Sequence, residues 1–158
     1  MTKYVRMFKW LVVLLAGGSF VLSVTFLPYF AESVAWRFPE YDYLLYPVLF
    51  FLWATLIGFY YMVVLVINIL GNVQSGKAFT VTTAKLFDRI ALMAFVEIVA
   101  YVLGFVTVSI CIMKAHPYFI FALFIVTFIC LALMGFCKIM KHLLLRVVDI
   151  KEENDYTV

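Results

Sequence analysis

The sequence predicts an all-α membrane protein: an antiparallel four-transmembrane-helix bundle whose last helix extends into the cytoplasm. Three observations carry that expectation. Hydrophobic residues make up 67% of the 158 residues and charged residues 13%, against about half and about a quarter in an ordinary soluble domain. A water-soluble fold of this size has too little interior to hide so much apolar surface. The apolar residues fall into four runs, at 8–29, 45–70, 90–113 and 118–140, each long enough to cross a ~30 Å hydrocarbon core at ~1.5 Å per residue. Finally, the basic residues alternate with the runs. Lys3, Arg6 and Lys9 precede the first, Lys77, Lys85 and Arg89 separate the second from the third, and Lys138, Lys141, Arg146 and Lys151 end or follow the fourth. Only Arg37 and Lys114 fall on the other side. Positive residues concentrate in cytoplasmic loops, so both termini and the 71–89 segment are expected in the cytoplasm. The 158 residues are expected to form one integral membrane domain, with room for one bundle and no appended soluble domain.

The first run, Phe8–Tyr29, follows a basic start. Its apolar stretch is longer than the apolar region of a cleaved signal peptide, so the run is expected to remain as a span. Gly17, Gly18 and Ser19 make a thin patch that another helix could approach closely. Pro28 is expected at the helix end. The segment Phe30–Leu44 mixes Glu32, Arg37, Glu40 and Asp42 with Trp36, Tyr41 and Tyr43, which suits a loop or short helix in the headgroup zone. Glu40 and Asp42 alone fall well short of the oxygen ligands a calcium site needs.

The second run, Leu45–Leu70, carries Pro47 in its first turn, where a missing N–H costs little. Ala54 and Gly58 form a small-x-x-x-small pair suited to close helix contact, and Gly71 and Asn72 are the expected terminators. The third run, Ile90–Met113, is expected to be capped by Thr82 or Thr83. Within it Glu97 is the one acidic residue inside any apolar run. Ala94, Ala100, Tyr101 and Gly104 share its helical face, and a face of small residues around an acid belongs inside the bundle. A tight break at Lys114–Pro117 leads to the fourth run. Beyond Cys137 the helical pattern continues, with Lys138, Lys141, His142, Arg146 and Asp149 on one side and Leu143, Leu144, Val147 and Val148 on the other. A helix from Tyr118 to Ile150 would be ~50 Å long, so 138–158 reads as an amphipathic extension and tail. It would lie on the membrane surface or pack under the bundle.

Glu97 is the leading candidate for chemistry. A buried ionised carboxylate is costly, so it must be paired, hydrated or protonated. Asn68 and Lys138 lie at comparable depth, which makes a Glu97–Asn68–Lys138 polar cluster the expected arrangement. It would be either a polar clamp between helices or a proton- or ion-coupling site. The three cysteines, Cys111, Cys130 and Cys137, lack metal-ligand spacing with a histidine and read as buried small hydrophobes. No metal or cofactor is implied. Phosphate loops, zinc-protease helices, nucleophile elbows and kinase signatures are missing from the sequence, so an enzyme is not expected. Nor is direct nucleic-acid binding, because the basic residues lack an independent fold to present them.

Two stretches carry a family resemblance. Ser75-Gly76-Lys77-Ala78-Phe79-Thr80 followed by Thr83 and Leu86, and the ending Lys151-Glu152-Glu153-Asn154-Asp155-Tyr156-Thr157-Val158, resemble the YoaS-like family of small bacterial four-span proteins, a domain of unknown function. The family more often has proline at the position of Ala78 and leucine at that of Tyr156. The resemblance implies a bacterial cytoplasmic membrane and four helices, and brings no catalytic residue. Members are commonly encoded beside a small helix-turn-helix regulator, which implies a DNA-binding protein as a candidate partner at the cytoplasmic face. The matched residues Gly76, Phe79, Asn154 and Asp155 would serve that contact, or would shape the turn and tail, with Gly76 supplying a positive φ and Phe79 pinning the loop to the headgroup layer.

The leading functional expectation is a non-enzymatic regulatory or interaction protein that binds such a partner. The alternatives are a small transporter or ion-coupled protein, potentially a homo-oligomer, using Glu97, and an immunity protein that meets a membrane-active peptide with its aromatic outer loop.

Overall fold

The computed structural model describes residues 2–37, 39–112 and 117–156. Four long helices account for almost all of them: α1 (Thr2–Arg37), α2 (Leu45–Gln74), α3 (Val81–Ile112) and α4 (Pro117–Tyr156), with a short 3-10 helix at Pro39–Leu44 between α1 and α2. All four are long and apolar enough to cross a membrane. The chain folds as an antiparallel bundle, with the 3-10 helix at one end and the α2–α3 turn at the other. That second end carries most of the basic residues and is called the basic end below.

The helices do not share the core equally. On α2, Thr55, Gly58, Met62, Leu65, Ile69 and Asn72 recur at alternating spacings of three and four, and all but Gly58 and Asn72 are buried. On α3, Thr83, Ile90, Ala94 and Glu97 follow the same rhythm and are buried. Such spacing draws a single seam down a helix, the pattern of closely packed antiparallel pairs. The core forms where the two seams meet Cys130 and Cys137 of α4. α3 and α4 make the most extensive pairing, while α1 packs chiefly on α2. Most of α1 is exposed, as lipid-facing helices are when no lipid surrounds them. It is held by Ser19, whose hydroxyl lies 3.2 Å from that of Tyr60, and by Trp53, whose indole N–H donates to the Ser23 carbonyl at 3.3 Å.

Several element boundaries depart from expectation. Pro28 does not end α1, which runs on to Arg37. Proline removes one ladder hydrogen bond, but Ala31, Glu32 and Ala35 beyond it are adequate helix formers, and the Ser33 hydroxyl is satisfied by the Phe30 carbonyl at 2.7 Å. Gly17 and Gly18 meet no neighbour where a Cβ would stand, and Ala54 is exposed. The close approach on α2 is made by Gly58 with Thr55, one step round the helix from the expected Ala54 pairing.

At the basic end α2 passes through Gly71 and Asn72 and stops at Gln74. Gly76, at φ +75°, is the only described glycine with positive φ. The Lys77 N–H donates to the Asn72 carbonyl at 2.8 Å and the Gly76 N–H to the Val73 carbonyl at 3.3 Å. This pair of bonds is the Schellman termination, whose left-handed position favours glycine. The positive φ expected at Gly76 is therefore present, while Gly71 and Asn72 are not the terminators. The cap of α3 also shifts: the Thr83 N–H donates to the Thr80 hydroxyl at 3.3 Å, so Thr80 is the N-cap in place of Thr82 or Thr83. Of the expected break at Lys114–Pro117, residues 114–116 lie outside the described residues, and Pro117 is the first residue of α4.

α4 is a single helix of 40 residues, ~60 Å long. It continues without a break past Cys137. The buried Leu144 and the ion pair from Lys141 to Asp88 hold the first turns of the extension against α3. Lys151, Glu152 and Glu153 continue helical and exposed.

Candidate functional site

Two polar arrangements stand out against the apolar interior. The first surrounds Glu97, which lies mid-bundle and is 6% exposed. Its carboxyl rests against Gly58 of α2, with Oε1 occupying the space in which a Cβ on residue 58 would stand. The Met93 side chain closes the same spot. One turn along, the Thr55 hydroxyl donates to the Leu52 carbonyl at 2.9 Å and lies 3.1 Å from the Tyr101 hydroxyl. Thr55 has one proton and uses it on the backbone, so Tyr101 is the donor to Thr55. A turn further, Gly104 of α3 receives the Phe51 ring of α2, whose nearest atom would stand 2.6 Å from a Cβ there. The two helices thus exchange a large side chain for a glycine at two levels, one in each direction. Ala94, 0% exposed, completes the small face expected around Glu97. Among the described residues, Glu97 itself has neither a hydrogen-bond partner nor an ion pair.

The expected Glu97–Asn68–Lys138 cluster is not assembled. Lys138 Nζ lies 2.7 Å from Asp88 Oδ1, and Lys141 Nζ lies 3.1 Å from the same oxygen. Asp88 is nine residues, ~13 Å, along α3 from Glu97, and the α3–α4 register sets Lys138 beside it. Asn68 falls one step off the α2 seam and is exposed, while Asn72, on the seam, turns toward α3.

The second arrangement is the knot at the basic end. Thr83, 1% exposed, donates its hydroxyl proton to the Lys77 carbonyl at 3.0 Å and accepts from the Asn72 amide at 3.1 Å. The Thr80 hydroxyl lies 3.1 Å from it and also reaches the Lys77 carbonyl at 3.1 Å. Four residues of the turn and its two helices are thereby tied around one carbonyl. Phe79 points away from this knot, 59% exposed. Asn154 and Asp155 lie in the last turn of α4, and their side chains are outside the described residues, as is that of Cys111. Cys130 and Cys137 are free and buried, as expected of small hydrophobes.

Sequence reasoning missed Gly58 as the seat of Glu97, Asp88 as the acid that holds both lysines, and Asn72 with Thr80 as parts of the knot. The signal for the first and last was present. Aligning the three-four seams of α2 and α3 in antiparallel register places Gly58 opposite Glu97, Thr55 opposite Tyr101 and Asn72 opposite Thr83.

Comparison with known proteins places this geometry in a family. Residues 29–158 match the family described as "Protein of unknown function (DUF2975)". The "Uncharacterized membrane protein YoaS" of Bacillus subtilis (strain 168) is 26% identical over 147 residues, which is 92% of each chain. No solved structure matches the chain. With the family match covering most of the sequence and all four helices of membrane-spanning length, the chain belongs to the DUF2975 family and is a multi-pass membrane protein.

Proposed function

We propose that this protein is a non-enzymatic interaction protein of a bacterial cytoplasmic membrane that holds a small DNA-binding regulator at its basic end, with both termini in the cytoplasm. The observation that carries the reading is the unbroken helical extension of α4. A ~30 Å core needs about 20 residues of helix, and α4 has 40. The surplus, ~28 Å beyond Cys137, presents Ile139, Leu143, Val147 and Ile150 on one face, all exposed. An apolar ridge at i, i+4, i+8 and i+11 is the kind of helix face that a partner's groove takes up. The start of the extension is tied to α3, where Lys138 and Lys141 meet Asp88, and Leu144 is buried. Exposed Phe79 and Val81 add apolar surface near the turn.

The test is a gentle-detergent pull-down of the tagged full-length protein from its native host. The reading expects a stoichiometric small DNA-binding protein to copurify, and expects Leu143→Glu with Val147→Glu, or deletion of residues 151–158, to release it while membrane insertion is kept. A preparation that carries no such protein, or one that keeps it through both changes, removes the reading. A second reading, ion coupling through Glu97, is favoured by the placement of this mostly buried acid against Gly58, with no cation beside it among the described residues. It expects Glu97→Gln to abolish a transport or protection phenotype at normal protein level, and a silent substitution ends it.

A further inference from the structure

We propose that Glu97 is a proton-binding site inside the membrane, and that the bound proton holds α2 against α3 at Gly58. The site is built rather than incidental. Glu97 is 6% exposed as a residue, and its Oε1 fills a notch that exists because residue 58 has no side chain. Its surroundings offer nothing to balance a negative charge. α2 presents Gly58 and the hydroxyl of Thr55, whose proton is spent on the Leu52 carbonyl. On α3 the neighbouring titratable group is Tyr101, which donates to Thr55, and on α4 it is Cys130. Neither side chain brings a positive charge. The lysines that might have served, Lys138 and Lys141, are both engaged by Asp88 about two and a half turns away.

An ionised carboxylate in such a seat bears its desolvation cost with no compensation, so the group is stored as the neutral acid. A neutral carboxyl packs against a glycine backbone much as an amide would. The ionised form must find water or a cation, and the nearest way to either is to leave Gly58. Proton loss therefore opens the α2–α3 seam at mid-membrane. This inference stands whether or not a partner binds the basic end, and its test reads the proton directly.

The full-length protein, in vesicles of phosphatidylethanolamine and phosphatidylglycerol, is examined by infrared difference spectroscopy. Near neutral pH the wild type should show the carbonyl stretch of a neutral carboxylic acid, sensitive to deuterium exchange and missing from Glu97→Gln. Raising the pH should convert that band to carboxylate. Gly58→Ala, which displaces Oε1, should shift its frequency. Thermal unfolding in the same vesicles supplies the mechanical half. The wild type should lose about 5 °C or more as pH rises through the titration, because the seat disfavours the ionised group. Glu97→Gln, isosteric with the neutral acid, should hold a flat profile. Identical neutral-pH spectra for wild type and Glu97→Gln overturn the proton site. Parallel unfolding profiles overturn the coupling to α2–α3 packing, and a band indifferent to Gly58→Ala overturns the seat.

Discussion

The knot at the basic end and the seat at mid-membrane lie on the same pair of helices, in the same seam, and treat polar groups in opposite ways. At the knot, the Thr83 residue is almost fully buried and its hydroxyl has bonds in both directions, donating to Lys77 and accepting from Asn72. At the seat, Glu97 is comparably buried and, among the described residues, has none. A satisfied buried network stiffens the chain around one geometry. A buried carboxyl without a partner makes its surroundings depend on its charge. The difference separates the part of the α2–α3 pair that must keep its shape from the part whose shape can be altered by one proton.

The comparison can be broken from either side. The largest effect is expected at the seat. Gly58→Leu drives a branched side chain into Oε1 of Glu97 and the Met93 methyl, and overpacking of this kind costs about 1–3 kcal/mol. Reversible unfolding in mixed micelles should place the loss near the top of that range. Next comes Thr83→Val, which keeps the shape and removes the hydroxyl. The Asn72 amide loses its acceptor, and a cost of about 1–2 kcal/mol should appear together with faster amide exchange at 76–84. Gly76→Ala puts a Cβ on a residue at φ +75° and should cost about 1 kcal/mol, with the same local exchange signature and no change in the Glu97 carbonyl band. The smallest effect belongs to Lys138→Ala. Its partner Asp88 keeps Lys141, both ends of the lost pair are substantially exposed, and such pairs contribute about 0–1 kcal/mol. A loss above about 2 kcal/mol there would show that Lys138 holds the extension in a way that Lys141 does not replace.

What the sequence revealed and what it concealed divide along a physical line. Composition and run length were enough for four spans, because the bilayer imposes a minimum length on any helix that crosses it. Periodicity within a single helix was equally legible: the face shared by Ala94, Glu97 and Tyr101 is set by 3.6 residues per turn. Contacts between helices were harder, since depth along a span does not state rotation or register. Asn68 and Lys138 were placed with Glu97 by depth alone, and rotation sent the first outward while register gave the second to Asp88. The element ends failed for local reasons. Pro28 was read as a stop although a helix can pass a proline at the loss of one bond. Gly71 and Asn72 are the terminators that the end of the apolar run suggests, but Gly76, expected only to shape the turn, adopts the left-handed conformation that termination requires.

The continuity of α4 across the edge of the membrane gives the molecule a mechanical property. A helix that continues unbroken where it leaves the bilayer passes its inclination outward. A tilt of 10° within the lipid would carry the tip near Tyr156 sideways by about 5 Å over a ~28 Å arm. Tilt is how a span accommodates a bilayer thinner or thicker than itself. Lipid thickness at the one end and the position of the last turn at the other are therefore linked by geometry alone, without any rearrangement in between.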